Sequence, residues 1–255
     1  MNRIDTLFSK KNNNILSVYF TAGFPERDNT VSIIRGLEKS GADMIEIGMP
    51  FSDPMADGPV IQQSSQLALK NGMTLALLFE QLKNIRKEVR IPLLLMGYLN
   101  PVLSMGMEKF CSTASEYGID GIILPDLPLD EYAGKYQKIF VQYNLSCIFL
   151  ITPQTSEERI RKIDSLGSGF NYLVSTYSIT GTAKNISASE PYFKKIATMK
   201  LKKPCMIGFG ISDKETFNTA CRHANGAIIG TAFIKALSGT GKIEEKINTF
   251  VKNIQ

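Results

Sequence analysis

Ala42-Asp43-Met44-Ile45-Glu46-Ile47-Gly48-Met49-Pro50 is an apolar run with a single carboxylate set in its middle. Near-continuous apolar runs of this length are how parallel strands covered on both faces read. Side chains alternate in direction along a strand, so packing of Ile45 and Ile47 against an outer layer turns Glu46 to the opposite face. The same texture recurs along the chain at 16–20, 93–98, 121–124, 146–151, 172–175, 205–209 and 227–229. With 44–48 that makes eight strand candidates.

Between these runs lie amphipathic stretches with helix signals. Asp28-Asn29-Thr30 is expected to cap a run that Gly41 stops. Thr74 opens 75–88, where leucines fall at helical spacing. Ser156 is followed by Glu157 and Glu158, acids placed where the helix dipole favours them. Ser212-Asp213 starts the helix after the seventh strand. Eight strand–helix units in 255 residues predict an α/β chain folded as one (β/α)8 TIM barrel over 1–255. The rival, a doubly wound open sheet, expects a glycine-rich fingerprint after the first strand, and Thr21-Ala22-Gly23-Phe24-Pro25 is not one. Residues 1–9 suit a short extra helix, expected at the barrel bottom.

At 44% hydrophobic and 21% charged, the chain has the composition of an ordinary globular domain. No apolar run approaches the roughly 20 residues needed to cross a membrane. The start lacks the layout of a secretion signal. Cys111, Cys147, Cys205 and Cys221 show no CxxC spacing, and are expected as buried thiols in a reducing compartment. The cytoplasm is the expected address. The net charge of +5 comes from scattered lysines, not the stripe that nucleic-acid binding requires. It suffices to help draw in a phosphate ester.

In such a barrel the chemistry sits at the C-terminal ends of the strands and in the loops that follow. Glu46 would point inward there, desolvated, with its pKa raised toward a value useful for proton transfer. The alternative is a structural glutamate paired with a buried cation, yet no strand candidate contains a lysine or arginine. The next loop, Pro50-Phe51-Ser52-Asp53-Pro54-Met55-Ala56-Asp57-Gly58-Pro59, is stiffened by three prolines and brings Asp53 and Asp57 to the mouth, either as turn-formers or as working groups. Gly208-Phe209-Gly210-Ile211-Ser212 and Gly230-Thr231-Ala232 fall after strands seven and eight, the usual phosphate site. The polar stretch 176–190 reads as a closing lid or as an ordinary exposed loop. The single histidine, His223, excludes a histidine-built zinc site and a Ser-His pair. No strand lysine is placed for a Schiff base. Acid–base chemistry by carboxylates remains.

Together these segments resemble the tryptophan synthase alpha subunit family. The long stretch 45–59 closely matches that family's signature, and the likeness continues in order through Pro125-Asp126-Leu127-Pro128, Thr180-Gly181, Gly208-Phe209-Gly210-Ile211-Ser212 and Gly230-Thr231. Thr231 stands where serine is common, and Ser178-Ile179-Thr180-Gly181 replaces the familiar Gly-Val-Thr-Gly. The resemblance implies cleavage of indole-3-glycerol phosphate to indole and glyceraldehyde 3-phosphate. Glu46 would take the carbinol proton and help protonate indole C3, while Asp57 would bond the ring N–H and stabilise positive charge. Thr180 would steady Asp57, and Tyr172 would sit near Glu46. Tyr19, Ile61, Tyr98, Ile123, Ile151 and Phe209 would line the indole pocket. Gly181, Gly210, Gly230 and Thr231 would hold the phosphate.

The family also implies a beta subunit in an alpha2beta2 assembly, docked on Pro50, Asp53, Asn100, Pro101 and Pro128. Asn100-Pro101-Val102-Leu103 is read as an apolar loop at the mouth. The resemblance implies no metal and no cofactor in this chain, with pyridoxal phosphate expected only in the partner. A catalytically silent activator of a beta subunit and a stand-alone indole-releasing lyase remain as alternatives.

Overall fold

The closed ring of parallel strands begins with β1, Ile15–Thr21, in the computed structural model, which describes residues 2–174 and 189–255. It continues through β2 Met44–Gly48, β3 Leu93–Met96, β4 Gly121–Ile123, β5 Ser146–Ile148, β6 Leu150–Ile151, β7 Asn171–Val174, β8 Cys205–Gly208 and β9 Gly226–Ile229. Every pairing is parallel, in the order β5-β4-β3-β2-β1-β9-β8-β7-β6. The two ends of that order, β5 and β6, are halves of one strand separated by Phe149. The Phe149 carbonyl accepts from Tyr172 N at 3.2 Å and the Cys147 carbonyl from Ser168 N at 3.0 Å, which closes the barrel. The eight expected strands are thus present, the fifth in two pieces.

Two apolar layers follow from the alternation of side chains. Ile45 and Ile47 pack outward in one cluster with Ile33, Ile34 and Leu37 of the helix Thr30–Ser40. Met44, Leu94, Ile123, Ile148, Met206 and Ile228 fill the barrel interior in a second. The N-terminal helix Arg3–Lys10 closes the bottom, as expected for 1–9. Its Ile4 is fully buried in the interior cluster, with Leu7 and Phe8 packed beside it. Asn2 fixes this plug by capping Ile4 N at 2.9 Å and donating to the Asp120 carbonyl at 2.7 Å. The buried Asp120 carboxylate in turn meets Arg3 at 3.0 Å and Arg86 at 2.5 Å.

Several local expectations are corrected. Asn29 makes no side-chain cap, because a single 3-10 turn, Arg27–Asn29, leads into the helix, whereas Gly41 does end it at φ 102°. Thr74 caps Leu77 N as read, but that helix stops at Leu82 and resumes only as a 3-10 turn, Ile85–Lys87. The stretch expected as an apolar loop at 100–103 is helix, Leu99–Met105, with Val102 wholly buried. Proline is tolerated in a first turn, where its missing N–H would have had no partner. Cys111, Cys147 and Cys221 are buried free thiols, and Cys205 is only partly so. Ser156 and Asp213 cap their helices, the latter in a reciprocal box with Thr216. Among the described residues no helix is long and apolar enough to cross a membrane.

Candidate active site

The mouth of the barrel is shaped by two tyrosines standing beside strands that glycine has thinned. Tyr19 on β1 leans over β2, where a Cβ on Gly48 would lie 2.2 Å from its hydroxyl. Tyr172 on β7 leans over β8, where a Cβ on Gly208 would lie 2.3 Å from its hydroxyl. Only glycine leaves space for rings at that height. The Tyr19 hydroxyl continues a buried chain to Thr21 Oγ1 at 3.5 Å and from there to Ser64 Oγ at 2.7 Å. Ser64 donates onward to the Ile61 carbonyl at 2.7 Å, so the helix Pro59–Lys70 is tied to β1 beside the mouth.

Above these rings lies a cavity that opens at the mouth of the barrel. It is lined by Tyr19, Asp57, Ile61, Tyr172, Phe209, Gly210, Gly230 and Thr231 from the sequence reading, and also by Met96, Ile211 and Ile228. A second, smaller cavity shares Tyr19, Asp57 and Met96 with it and runs instead toward Phe51, Tyr98 and Pro125. Met96, Ile211 and Ile228 were missed because an apolar side chain at a strand end has the same composition signal as core. On one side of the first cavity, Phe209 and Gly210 both adopt positive φ, 71° and 73°. A phenylalanine in that region is strained, and such strain gathers at working sites. Gly230 precedes the helix Thr231–Ser238, whose N-terminus faces the same space. Glycine backbone and a helix start are well suited to an anion.

Asp57 is held from one side by Tyr98. The phenol donates to Asp57 Oδ2 at 3.0 Å and accepts from Ala56 N at 3.0 Å, while its ring stacks on Phe51 at 5.2 Å. Tyr98, expected as a wall of the indole pocket, therefore also clamps the loop that carries Asp57. Burial raises the Asp57 pKa, and the Tyr98 hydrogen bond pulls it back.

Glu46 is wholly buried at the register of Tyr19 on β1 and Leu94 on β3. Its Oε1 accepts from Ser17 Oγ at 3.3 Å, and its Oε2 is buried without a hydrogen-bond partner. No ion pair to Glu46 exists among the described residues, so the alternative of a structural glutamate matched to a cation finds no support there. Desolvation pushes its pKa up to about 8, with the Ser17 bond opposing. Burial likewise raises Tyr19 and Tyr172, both of which feel Glu46, and keeps the phenols neutral. Glu46 is not among the side chains lining the cavity.

The remaining expected residues divide. Ile123 faces the barrel interior. Ile151 does not: it packs in the outer layer, and its neighbour Leu150 turns inward. The period-two alternation through Phe149 puts 148 and 150 inside, so the assignment of 151 was one residue out of phase. Pro50 is half-buried, whereas Asp53, Asn100 and Pro128 are exposed and Pro101 partly so, all on segments following β2, β3 and β4. Thr180 and Gly181, with nearly all of the stretch 176–190, lie outside the described residues. Among the described residues no cluster of three His, Cys, Asp or Glu side chains is arranged to hold a metal ion.

Comparison with known proteins gives a consistent picture. A family model described as tryptophan synthase alpha chain matches residues 6–255. A relative named tryptophan synthase alpha chain, from Flavobacterium johnsoniae, is 57% identical over 248 residues, covering 96% of this chain and 98% of that one. A solved structure of Mycobacterium tuberculosis tryptophan synthase superposes with a TM-score of 0.90 at 27% identity, covering 99% of this chain and 96% of the other. A tryptophan synthase complex from Pyrococcus furiosus matches with a TM-score of 0.86 at 32% identity, over 96% and 98% of the two chains.

Proposed function

The chain belongs to the tryptophan synthase alpha chain family, and from that premise we propose that it cleaves indole-3-glycerol phosphate to indole and glyceraldehyde 3-phosphate, with Glu46 and Asp57 as its catalytic carboxylates. The observation that carries the assignment is the pairing of a wholly buried and a half-buried carboxylate, differently held, with a cavity whose far wall is built of Gly210, Gly230 and Thr231.

The reaction breaks the bond between indole C3 and the carbinol carbon. Expelling an indolyl carbanion is costly, so C3 is protonated first, leaving positive charge on the ring nitrogen. Asp57, ionised and fixed by Tyr98, bonds the ring N–H and stabilises that charge. Glu46 begins protonated, as a carboxyl pushed up to about 8 is at neutral pH, and gives its proton to C3. It then takes the carbinol O–H proton as the C–C bond breaks. The bonding pair returns to the ring, the aldehyde forms, and Glu46 ends as it began. Tyr19, Ile61, Tyr98, Ile123, Tyr172 and Phe209 are assigned to the indole, with Leu150 in place of Ile151. Gly181, Gly210, Gly230 and Thr231 are assigned to the phosphate, and Thr180 to Asp57.

The chain is taken to work in the cytoplasm as one domain, without a cofactor of its own. Its partner would be a beta subunit carrying pyridoxal phosphate in an alpha2beta2 assembly, and the complex from Pyrococcus furiosus supports that reading. Pro50, Asp53, Asn100, Pro101 and Pro128 would form the docking face. Indole release by the purified chain, alone and with a beta subunit, tests all of this. Slow release stimulated by the partner is expected. Full activity alone would favour a stand-alone lyase, and stimulation of the partner without release would favour a silent activator.

A further inference from the structure

The second cavity holds a polar group that the proposed reaction does not use. Ser65 is only 5% exposed and lines that space. A serine inside a helix commonly turns its hydroxyl back to the carbonyl four residues earlier, here that of Ile61 in the helix Pro59–Lys70. That carbonyl is already taken by Ser64 Oγ at 2.7 Å. Ser65 Oγ is left without a hydrogen bond among the described residues, and a buried hydroxyl in that condition is unfavourable unless a ligand meets it. The phenols beside it are committed elsewhere. Tyr98 donates to Asp57 and accepts from Ala56 N, and the Tyr19 hydroxyl faces Thr21 Oγ1. The rest of the wall is apolar, built of Met49, Phe51, Met96 and Pro125.

The placement of the heterocycle shows what would meet that hydroxyl. Asp57 lines both cavities and is the assigned partner of the ring N–H. Ring atom C3, with its phosphorylated chain, belongs to the first cavity, toward Gly210, Gly230 and Thr231. On the benzene half of indole, C4 stands beside C3 and C7 stands beside the N–H. C7 is thus the position that reaches past Asp57 into the second cavity, a space too narrow for another ring but fit for one small substituent. We propose that Ser65 is a specificity-determining residue, and that the chain also cleaves substrate carrying a hydroxyl or amino group on C7. The proposal rests on the reading of Asp57 as the partner of the ring N–H. A serine hydroxyl both donates and accepts, so it pairs with either substituent, whereas a methyl group leaves it unpaired. The contact is far from the bond that breaks and is made equally before and during the reaction, so it lowers KM and leaves kcat unchanged.

The test measures kcat and KM of the intact chain and of Ser65→Ala on indole-3-glycerol phosphate and on its 7-hydroxy, 7-methyl and 4-hydroxy forms. Expected in the parent is a KM for the 7-hydroxy form about three- to tenfold below that for the 7-methyl form. Ser65→Ala should lose or reverse that preference while using the unsubstituted substrate as the parent does. The 4-hydroxy form should respond to neither residue. Alanine is a better helix former than serine, so the variant is expected to fold, and a melting curve checks this. Rejection of the 7-hydroxy form, no preference for hydroxyl over methyl, or an equal response of the 4- and 7-hydroxy forms to Ser65→Ala would each overturn the proposal. Calorimetric binding of 7-hydroxyindole and 7-methylindole to both proteins reads the same contact without turnover. If no substrate is cleaved at all, the catalytic reading falls, and the binding preference still decides whether Ser65 meets the ring substituent.

Discussion

A carboxyl group whose pKa is raised from 4.5 to about 8 by burial leaves a thermodynamic mark. The folded state binds a proton that the unfolded chain releases between those values. Stability is therefore fully present below about 4.5 and is lost as pH rises through about 8. Glu46→Gln should remove this slope, so that melting temperature at pH 9 exceeds that of the parent while the two differ less at pH 5. The same variant is expected to lose about 10²–10⁴-fold in turnover. Tyr98→Phe tests the clamp on Asp57. It removes one hydrogen bond to a charged group and a partner of Ala56 N, so kcat should fall about tenfold with the fold retained. The rate profile is expected to be bell-shaped, with its alkaline limb set by Glu46 and its acid limb by Asp57. Glu46 and Asp57 were legible because a carboxylate in an apolar strand and a stiff acidic loop stand out by residue type. The Ser17 and Tyr98 bonds were not, since a serine or tyrosine in a strand carries no sign of what it touches.

The strands were legible as elements because burial on both faces demands unbroken apolar runs, and all eight fell where those runs lie. Phase within a run was harder. Ile151 is the expected pocket residue, yet the alternation that puts Ile148 inside also selects Leu150, and two adjacent apolar residues give no hint of which is which. Leu150→Ala is accordingly expected to raise KM for the indole substrate more than Ile151→Ala does, a comparison that steady-state kinetics settles. Helix 99–105 was missed for a related reason: Asn-Pro reads as a turn, although proline is harmless in a first turn. Close approach between strands was likewise invisible. Gly48→Ala would set a methyl group 2.2 Å from the Tyr19 hydroxyl. Tilting that ring into the cavity should cost about 1–3 kcal/mol of stability and weaken substrate binding, as denaturant titration and KM would report.

The molecule as a whole divides its labour between its two ends. Ile4, Leu7 and Phe8 plug the bottom, where Ile4→Ala should cost about 2–4 kcal/mol in unfolding free energy while kcat stays near that of the parent. The top carries the site, and this division follows from strand direction alone. The two cavities that meet at Tyr19, Asp57 and Met96 then diverge, one toward Gly210 and Thr231, the other toward Phe51 and Pro125. Scission at that junction would leave the aldehyde phosphate and the heterocycle in separate corridors, neither obstructing the other's departure. Release of the two products would then follow no compulsory sequence, and either one could leave the complex of both first.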